Sequence, residues 1–180
     1  MAKKKVHYLE SSEIGISIED YDFIFSDFDP RPFSEKALSD DFLSEIRRAS
    51  LDKPLGEIHI KFLIPSKKRS YSTEEIIKKR LKSHFRKHEI RTKKDYKNKI
   101  LEGALFVFFG TVMMFFTSLL TYYLSGKSFI TSFFTIILEP AGWFLFWEGL
   151  NLVIFRSKEL RPNFEFYEKM TNAKISFQNH

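Results

Sequence analysis

ILEGALFVFFGTVMMFFTSLLTYYL (100–124), SGKS (125–128) and FITSFFTIILEPAGWFLFWEGLNLVIF (129–155) follow one another without a gap. Two long apolar runs are thus joined by four polar residues. The first run has 25 residues and a single charge, Glu102, near its start. As a helix it would be roughly 38 Å long, enough to cross a hydrocarbon core of ~30 Å with some tilt. The second run has 27 residues and is charged only at Glu139 and Glu148. Four linking residues leave room for a tight turn alone, which makes the two helices antiparallel neighbours. The competing reading is a soluble helical hairpin. It fails on supply: a chain of 180 residues can hardly cover two helices that are apolar all round.

Charge orients the pair. The chain carries +6, unevenly spread. Residues 1–65 hold nine Lys/Arg against thirteen Asp/Glu, a net −4; residues 66–99 hold fourteen against four, a net +10; residues 100–180 hold six of each. The basic block lies just before the first span, and Arg156, Lys158 and Arg161 follow the second, whereas the turn has only Lys127. The positive-inside rule therefore expects both termini in the cytoplasm, with the spans in the cell (inner) membrane. The start, Met-Ala-Lys-Lys-Lys, leads into mixed polar sequence rather than an apolar core, so the first span is expected to act as an uncleaved signal anchor. Tyr122 and Tyr123 fit an aromatic belt at a membrane boundary. Trp143 and Trp147, spaced i and i+4, are expected to pack against another helix.

Outside the spans, the alternation of Ile14, Ile16 and Ile18 with Gly15 and Ser17 predicts a short strand. Asp29-Pro30-Arg31-Pro32-Phe33 predicts an extended turn, because proline disfavours helix at the residue before it. Ser39-Asp40-Asp41 caps a short helix over 40–49 with Phe42, Leu43 and Ile46 on its apolar side. Residues 57–64 are the clearest strand: Ile58, Ile60, Phe62 and Ile64 point one way, His59 and Lys61 the other, and Leu63 breaks the alternation. Ser72 with Glu75 reads as a capping box. From Thr73 no Pro or Gly occurs until Gly103, which predicts one helix running from the basic segment into the first span. Beyond the second span, Arg161-Pro162 predicts a break, with a short helix over 163–170. Ala173, Ile175 and Phe177 then alternate as a last strand. The fold class expected is membrane α+β: a two-helix transmembrane hairpin, a basic juxtamembrane helix over 73–99, and a small cytoplasmic domain built from 1–72 and 158–180.

Cysteine is absent, which excludes disulfides and thiolate chemistry. No Ser/His/Asp arrangement, paired-carboxylate motif or glycine-rich phosphate loop is legible, so no catalytic residue, cofactor or metal site is assigned and the chain is read as a non-enzyme. His84 and His88 share a helix face, but HExxH and cysteine pairs are missing and Arg80 and Arg86 oppose a cation; a polar, modestly pH-sensitive stripe is the simpler reading. The basic set comprises Lys78, Lys79, Arg80, Lys82, Arg86, Lys87, Arg91, Lys93, Lys94, Lys97 and Lys99. Beside a span, it favours anionic lipid head groups, each cation contributing about 1 kcal/mol. A solvated helix face is the bland alternative. Nucleic acid is disfavoured, since only Phe85 and Tyr96 offer a stacking platform.

Three polar groups lie within the second run: Glu139, Glu148 and Asn151. A lipid-facing carboxylate near mid-membrane costs roughly 2–3 kcal/mol or more, so Glu139 should face protein or water. Pro140 beside it removes a backbone donor and should kink the helix. Glu148 and Asn151 lie i, i+3 nearer the cytoplasmic end. These groups either hydrogen-bond inside a helix bundle or line an ion or proton path.

Asp29-Pro30-Arg31-Pro32-Phe33-Ser34-Glu35 with Leu38, the run 77–93 with Phe85, Gly142-Trp143-Phe144-Leu145-Phe146-Trp147, Tyr167-Glu168-Lys169 and a closing β-like segment belong to one pattern. In these features the chain resembles an uncharacterised family of small bacterial two-pass membrane proteins over most of residues 20–177. It carries Glu148-Gly149 where such relatives often carry Arg-Pro. The resemblance implies the two-span architecture and no activity. The function expected is a membrane scaffold or accessory protein presenting a cytoplasmic domain. It would be homo-oligomeric or joined to other membrane subunits, because two helices alone offer few partners for Glu139, Glu148 and Asn151. A small oligomeric pore or effector is the alternative reading.

Overall fold

The computed structural model describes residues 13–53, 58–124 and 128–179. The expected basic start, Glu57 of the central strand, and Ser125, Gly126 and Lys127 of the turn lie outside the described residues. In chain order the elements are β1 (Glu13–Ser17), a 3-10 turn at Tyr21–Ile24, α1 (Asp40–Leu51), β2 (His59–Ile64), a 3-10 turn at Ser66–Lys68, α2 (Tyr71–Leu124), α3 (Phe129–Asn151), a π-helical turn at Leu152–Arg156, α4 (Ser157–Asn172) and β3 (Lys174–Asn179). The chain divides into two units, Met1–Ile90 with Glu165–His180, and Arg91–Phe164.

The first unit is α+β. Its three strands are all parallel, in the order β1-β2-β3. Parallel neighbours cannot be joined by a hairpin, so each pair needs a crossover. The crossover from β1 to β2 carries α1. The one from β2 to β3 carries α2, α3 and α4, so the long apolar helices are an insertion in a βαβ connection. Ile14, Ile60 and Ile175 stand side by side, and so do Ile16, Phe62 and Phe177. The period-two pattern of β2 is kept: Ile58, Ile60, Phe62 and Ile64 are buried, while His59, Lys61 and Leu63 are only half-buried. Leu63 stays on the outer face, so its apolar side chain does not shift the register.

Helices close over the inner face. α1 contributes Phe42 and Ile46; its cap is Ser39, whose Oγ accepts from the Phe42 N–H at 3.5 Å. α4 contributes Phe166 and Met170. Phe62 stacks on Phe177 at 5.0 Å and lies 5.9 Å from Phe42. Ile77, Leu81 and Phe85 of α2, four residues apart, are completely buried. The basic helix is therefore amphipathic, with one apolar stripe in this core. The sequence reading sets residues 73–99 apart as a juxtamembrane element, whereas the structure places the helix as far as Ile90 in the α+β unit.

Two local expectations are corrected. The capping box at Ser72 is out of register: α2 begins at Tyr71, and Ser70 accepts from the Thr73 N–H at 3.5 Å through its hydroxyl and from the Glu74 N–H at 2.9 Å through its carbonyl. Glu75 pairs outward with Lys78 instead. Nor does Arg161-Pro162 interrupt the chain, because Pro162 lies inside α4. A mid-helix proline frees the carbonyl four residues before it. Here that is Lys158, and both residues are on an exposed side, where water can take the freed acceptor.

The second unit contains residues 91–124 of α2, all of α3, the π-turn and the start of α4. α2 is one helix of 54 residues, as the absence of Pro and Gly before Gly103 predicts. Two helices, Tyr71–Leu124 and Phe129–Asn172, are long and apolar enough to cross a membrane.

Candidate functional site

Glycines set how closely α2 and α3 approach. Gly103 lies against Gly149 and Leu152, and Gly110 lies against Gly142 and Phe146. Rising numbers on one helix meet falling numbers on the other, so the two run antiparallel. A Cβ on Gly149 would sit 2.6 Å from both the Gly103 carbonyl oxygen and the Val107 nitrogen. Backbones packed this closely gain dispersion and Cα–H contacts without needing a hydrophobic effect, the kind of helix contact that serves inside lipid. The sequence signal was present and went unread: each run has two glycines seven residues apart, two helical turns along one face.

Beyond Gly110 and Gly142, towards Leu124 and Phe129, the pair borders an open pocket of about 900 Å³. From α2 it is lined by Met114, Thr117, Ser118, Thr121 and Tyr122. From α3 come Ile136, Glu139, Pro140 and Trp143. Thr117 and Thr121 donate their hydroxyl protons along their own helix, to the carbonyls of Met113 (2.9 Å) and Thr117 (3.0 Å). Thr111 and Thr135 bond to their own helices in the same way. Such back-bonding satisfies hydroxyls where water is scarce. Glu139 is different. It is exposed, and among the described residues no hydrogen bond or ion pair reaches its carboxylate.

The three intramembrane candidates do not form one cluster. Glu148 accepts from Asn151 Nδ2 at 3.2 Å, one turn apart as expected, and neither lines the pocket. Trp143 and Trp147 are 59% and 61% exposed and stack on each other with centroids 6.3 Å apart, and Trp143 lies on the pocket wall. Tyr122, expected at a boundary, is also part of the pocket wall.

The basic candidates separate by environment. Lys79, Lys82, Arg86, Lys87, Arg91, Lys93, Lys94 and Lys97 are exposed; Lys78, Arg80 and Lys99 are half-buried. Arg80 Nε donates to the Lys36 carbonyl at 2.9 Å, Lys99 pairs with Glu102 at 2.7 Å, and Arg86 with Glu89 at 3.1 Å. Lys93 lies over the Phe164 ring at 5.7 Å.

In the first unit His84 and His88 stack at 4.3 Å, and His88 stacks on Tyr167 at 5.0 Å. His84 Nε2 is buried and has no hydrogen-bond partner among the described residues. Burial, reinforced by His88, pushes its pKa down from 6.5 to about 4, so the ring is neutral near pH 7. Among the described residues no group of three or more His, Asp or Glu is placed to hold a metal. The sequence reading also missed a buried ion pair. Glu74 takes two bonds from Arg69, at 2.8 and 3.0 Å, and one from the Tyr21 hydroxyl at 3.1 Å. The Tyr21 oxygen in turn accepts from the Ser70 N–H. Burial raises the Tyr21 pKa, and the Glu74 carboxylate raises that of Arg69. This network ties the start of α2 to the 3-10 turn at Tyr21–Ile24, and its pairing across 53 residues has no local signature.

Comparison with known protein families, characterised proteins and solved structures found no match. The site is therefore read from its own residues.

Proposed function

We propose that the chain is a non-enzymatic integral membrane scaffold. Its paired helices cross the cell's inner membrane, and its α+β unit stands in the cytoplasm with both termini. The observation that carries this reading is the outer surface of the two helices. Leu105, Phe108, Phe109, Phe115 and Phe116 of α2 and Phe133, Phe134, Ile137 and Phe144 of α3 are all exposed. An apolar surface of this extent is stable in lipid and a liability in water. The resemblance to small two-pass membrane proteins fits the same reading, and the basic segment suits anionic head groups on the cytoplasmic side. Assembly with further copies or other membrane subunits would use the exposed Trp147.

Extraction at alkaline pH and a protease-protection assay on a tag after His180 test the proposal. Retention in the membrane fraction and digestion of the tag only from the cytoplasmic face are expected. Release into the aqueous phase, or a tag cleaved from outside intact cells, overturns it. One observation favours the second reading, a small pore: Glu139 has no partner among the described residues. A pore requires Glu139→Gln to change conductance while assembly survives.

A further inference from the structure

We propose that the pocket beside Glu139 is a binding site for a long-chain amine, its ammonium head on the Glu139 carboxylate and its tail along the apolar wall. The inference rests on the membrane reading above and adds a ligand class to it. The chemistry of the wall selects the head group. Glu139 presents a carboxyl group that no protein group among the described residues partners. Thr121, exposed on the wall, has already given its proton to the Thr117 carbonyl, so it presents oxygen lone pairs. Ser118 and Tyr122 hydroxyls can act either way. A carboxyl group beside hydroxyl oxygens that can accept is matched by a head that is positive and donates. An ammonium has three N–H donors and no acceptor. A carboxylate or ketone head would set acceptor against acceptor. Trp143 on the same wall can lay its ring face against the cation.

Size and surroundings agree. A volume of about 900 Å³ holds an amphiphile with an extended tail. Met114, Ile136 and Pro140 give the tail apolar contacts. A second copy of the chain is a poorer occupant, because it brings no cation to this level. Between Glu102 and Arg156 the only positive residue is Lys127, in the turn twelve positions before Glu139. Fixed in the bilayer without a counter-charge, Glu139 is costly; an amine relieves that cost.

The test uses the full chain in nanodiscs of neutral phosphatidylcholine. Trp147→Phe leaves Trp143 as the only tryptophan, and phosphatidylcholine brominated on its acyl chains quenches it from the surrounding lipid. Dodecylamine is the probe, and dodecanoic acid and dodecanol at equal mole fraction in the membrane serve as comparisons. Saturable relief of quenching is expected, with half-saturation at least ten-fold lower for the amine than for the alcohol. Adding Glu139→Gln should erase that preference. Equal relief by all three heads overturns the proposal without needing any variant at Glu139, and so does a preference that survives Glu139→Gln. If Ser118→Cys instead forms disulfide dimers that exclude the amine, the pocket is an interface between copies and the proposal fails. Recovery of the chain in the aqueous phase removes the membrane reading and this site together. Loss of head-group selectivity in reconstituted protein removes only the site.

Discussion

Replacing Gly110 with alanine should loosen the contact between α2 and α3. The new Cβ would lie 2.5 Å from the Phe146 nitrogen, 2.8 Å from the Gly142 carbonyl oxygen and 2.9 Å from the Phe146 Cα. All three are backbone atoms, which cannot rotate away. Ordinary van der Waals contact begins near 3.4 Å, so the facing backbone must retreat by about 0.9 Å. A gap of that size forfeits roughly a quarter to a half of each neighbouring pair attraction. Overpacking of this kind costs about 1–3 kcal/mol. Alanine's better helix propensity returns ~1 kcal/mol, which leaves a net loss of up to about 2 kcal/mol. The sites should rank by what surrounds them. Gly149→Ala should cost as much, since its nearest atoms are backbone at 2.6 Å. Gly142→Ala should cost less, because its nearest atom at 2.9 Å is the flexible Met114 Cγ. Gly15→Ala is the control, with nothing within 4 Å. Reversible unfolding by SDS in dodecyl maltoside micelles, followed by the fluorescence of Trp143 and Trp147, supplies the assay. If Gly110→Ala unfolds at the same SDS fraction as Gly142→Ala and the unsubstituted chain, the glycine contact does not set the helix spacing.

Three further outcomes are expected. His84 titrates near 6.5 when unfolded and near 4 when folded, so stability is intact above pH 6.5 and falls as pH drops from 6.5 towards 4. Discounted for partial exposure, the loss is about 1–2 kcal/mol, and His84→Phe should flatten it in denaturation midpoints compared at pH 7.5, 5.5 and 4.5. Glu74→Ala leaves Arg69 and the Tyr21 hydroxyl without their carboxylate. It should cost roughly 2–4 kcal/mol in chemical unfolding, and the double change Glu74→Leu with Arg69→Met should recover most of that. Pro162→Ala restores a backbone donor inside an exposed helix and should stabilise the chain by about 1–2 kcal/mol, seen as a thermal midpoint a few degrees higher.

Local pattern carried much of this molecule. The inward faces of β2 and β3, the Ser39 cap and the unbroken α2 were legible because each follows from spacing or backbone chemistry within a few residues. The capping box at Ser72 misled because Glu74 and Glu75 sit side by side. Which of them turns inward depends on Arg69 and Tyr21, and Tyr21 is 53 positions away. Pro162 misled because a helix tolerates a lost donor where water can reach the freed carbonyl. In the candidate site Glu139 stood out at once as a carboxylate in an apolar run. Its neighbours Ser118 and Tyr122 did not, since they come from the other helix.

The amino-acid sequence by itself determined the two apolar helices, the basic segment before them and which side of each strand is apolar. These are properties of residues adjacent along the chain, and solvent sorts them without reference to the rest of the fold. Only the tertiary structure decided that the three strands run parallel with the helices inserted between β2 and β3, that glycines meet across the helix pair, and that a pocket opens beside Glu139. Each of these is a meeting of distant residues, and close packing, which admits very few arrangements of backbone and side chain, selects among them.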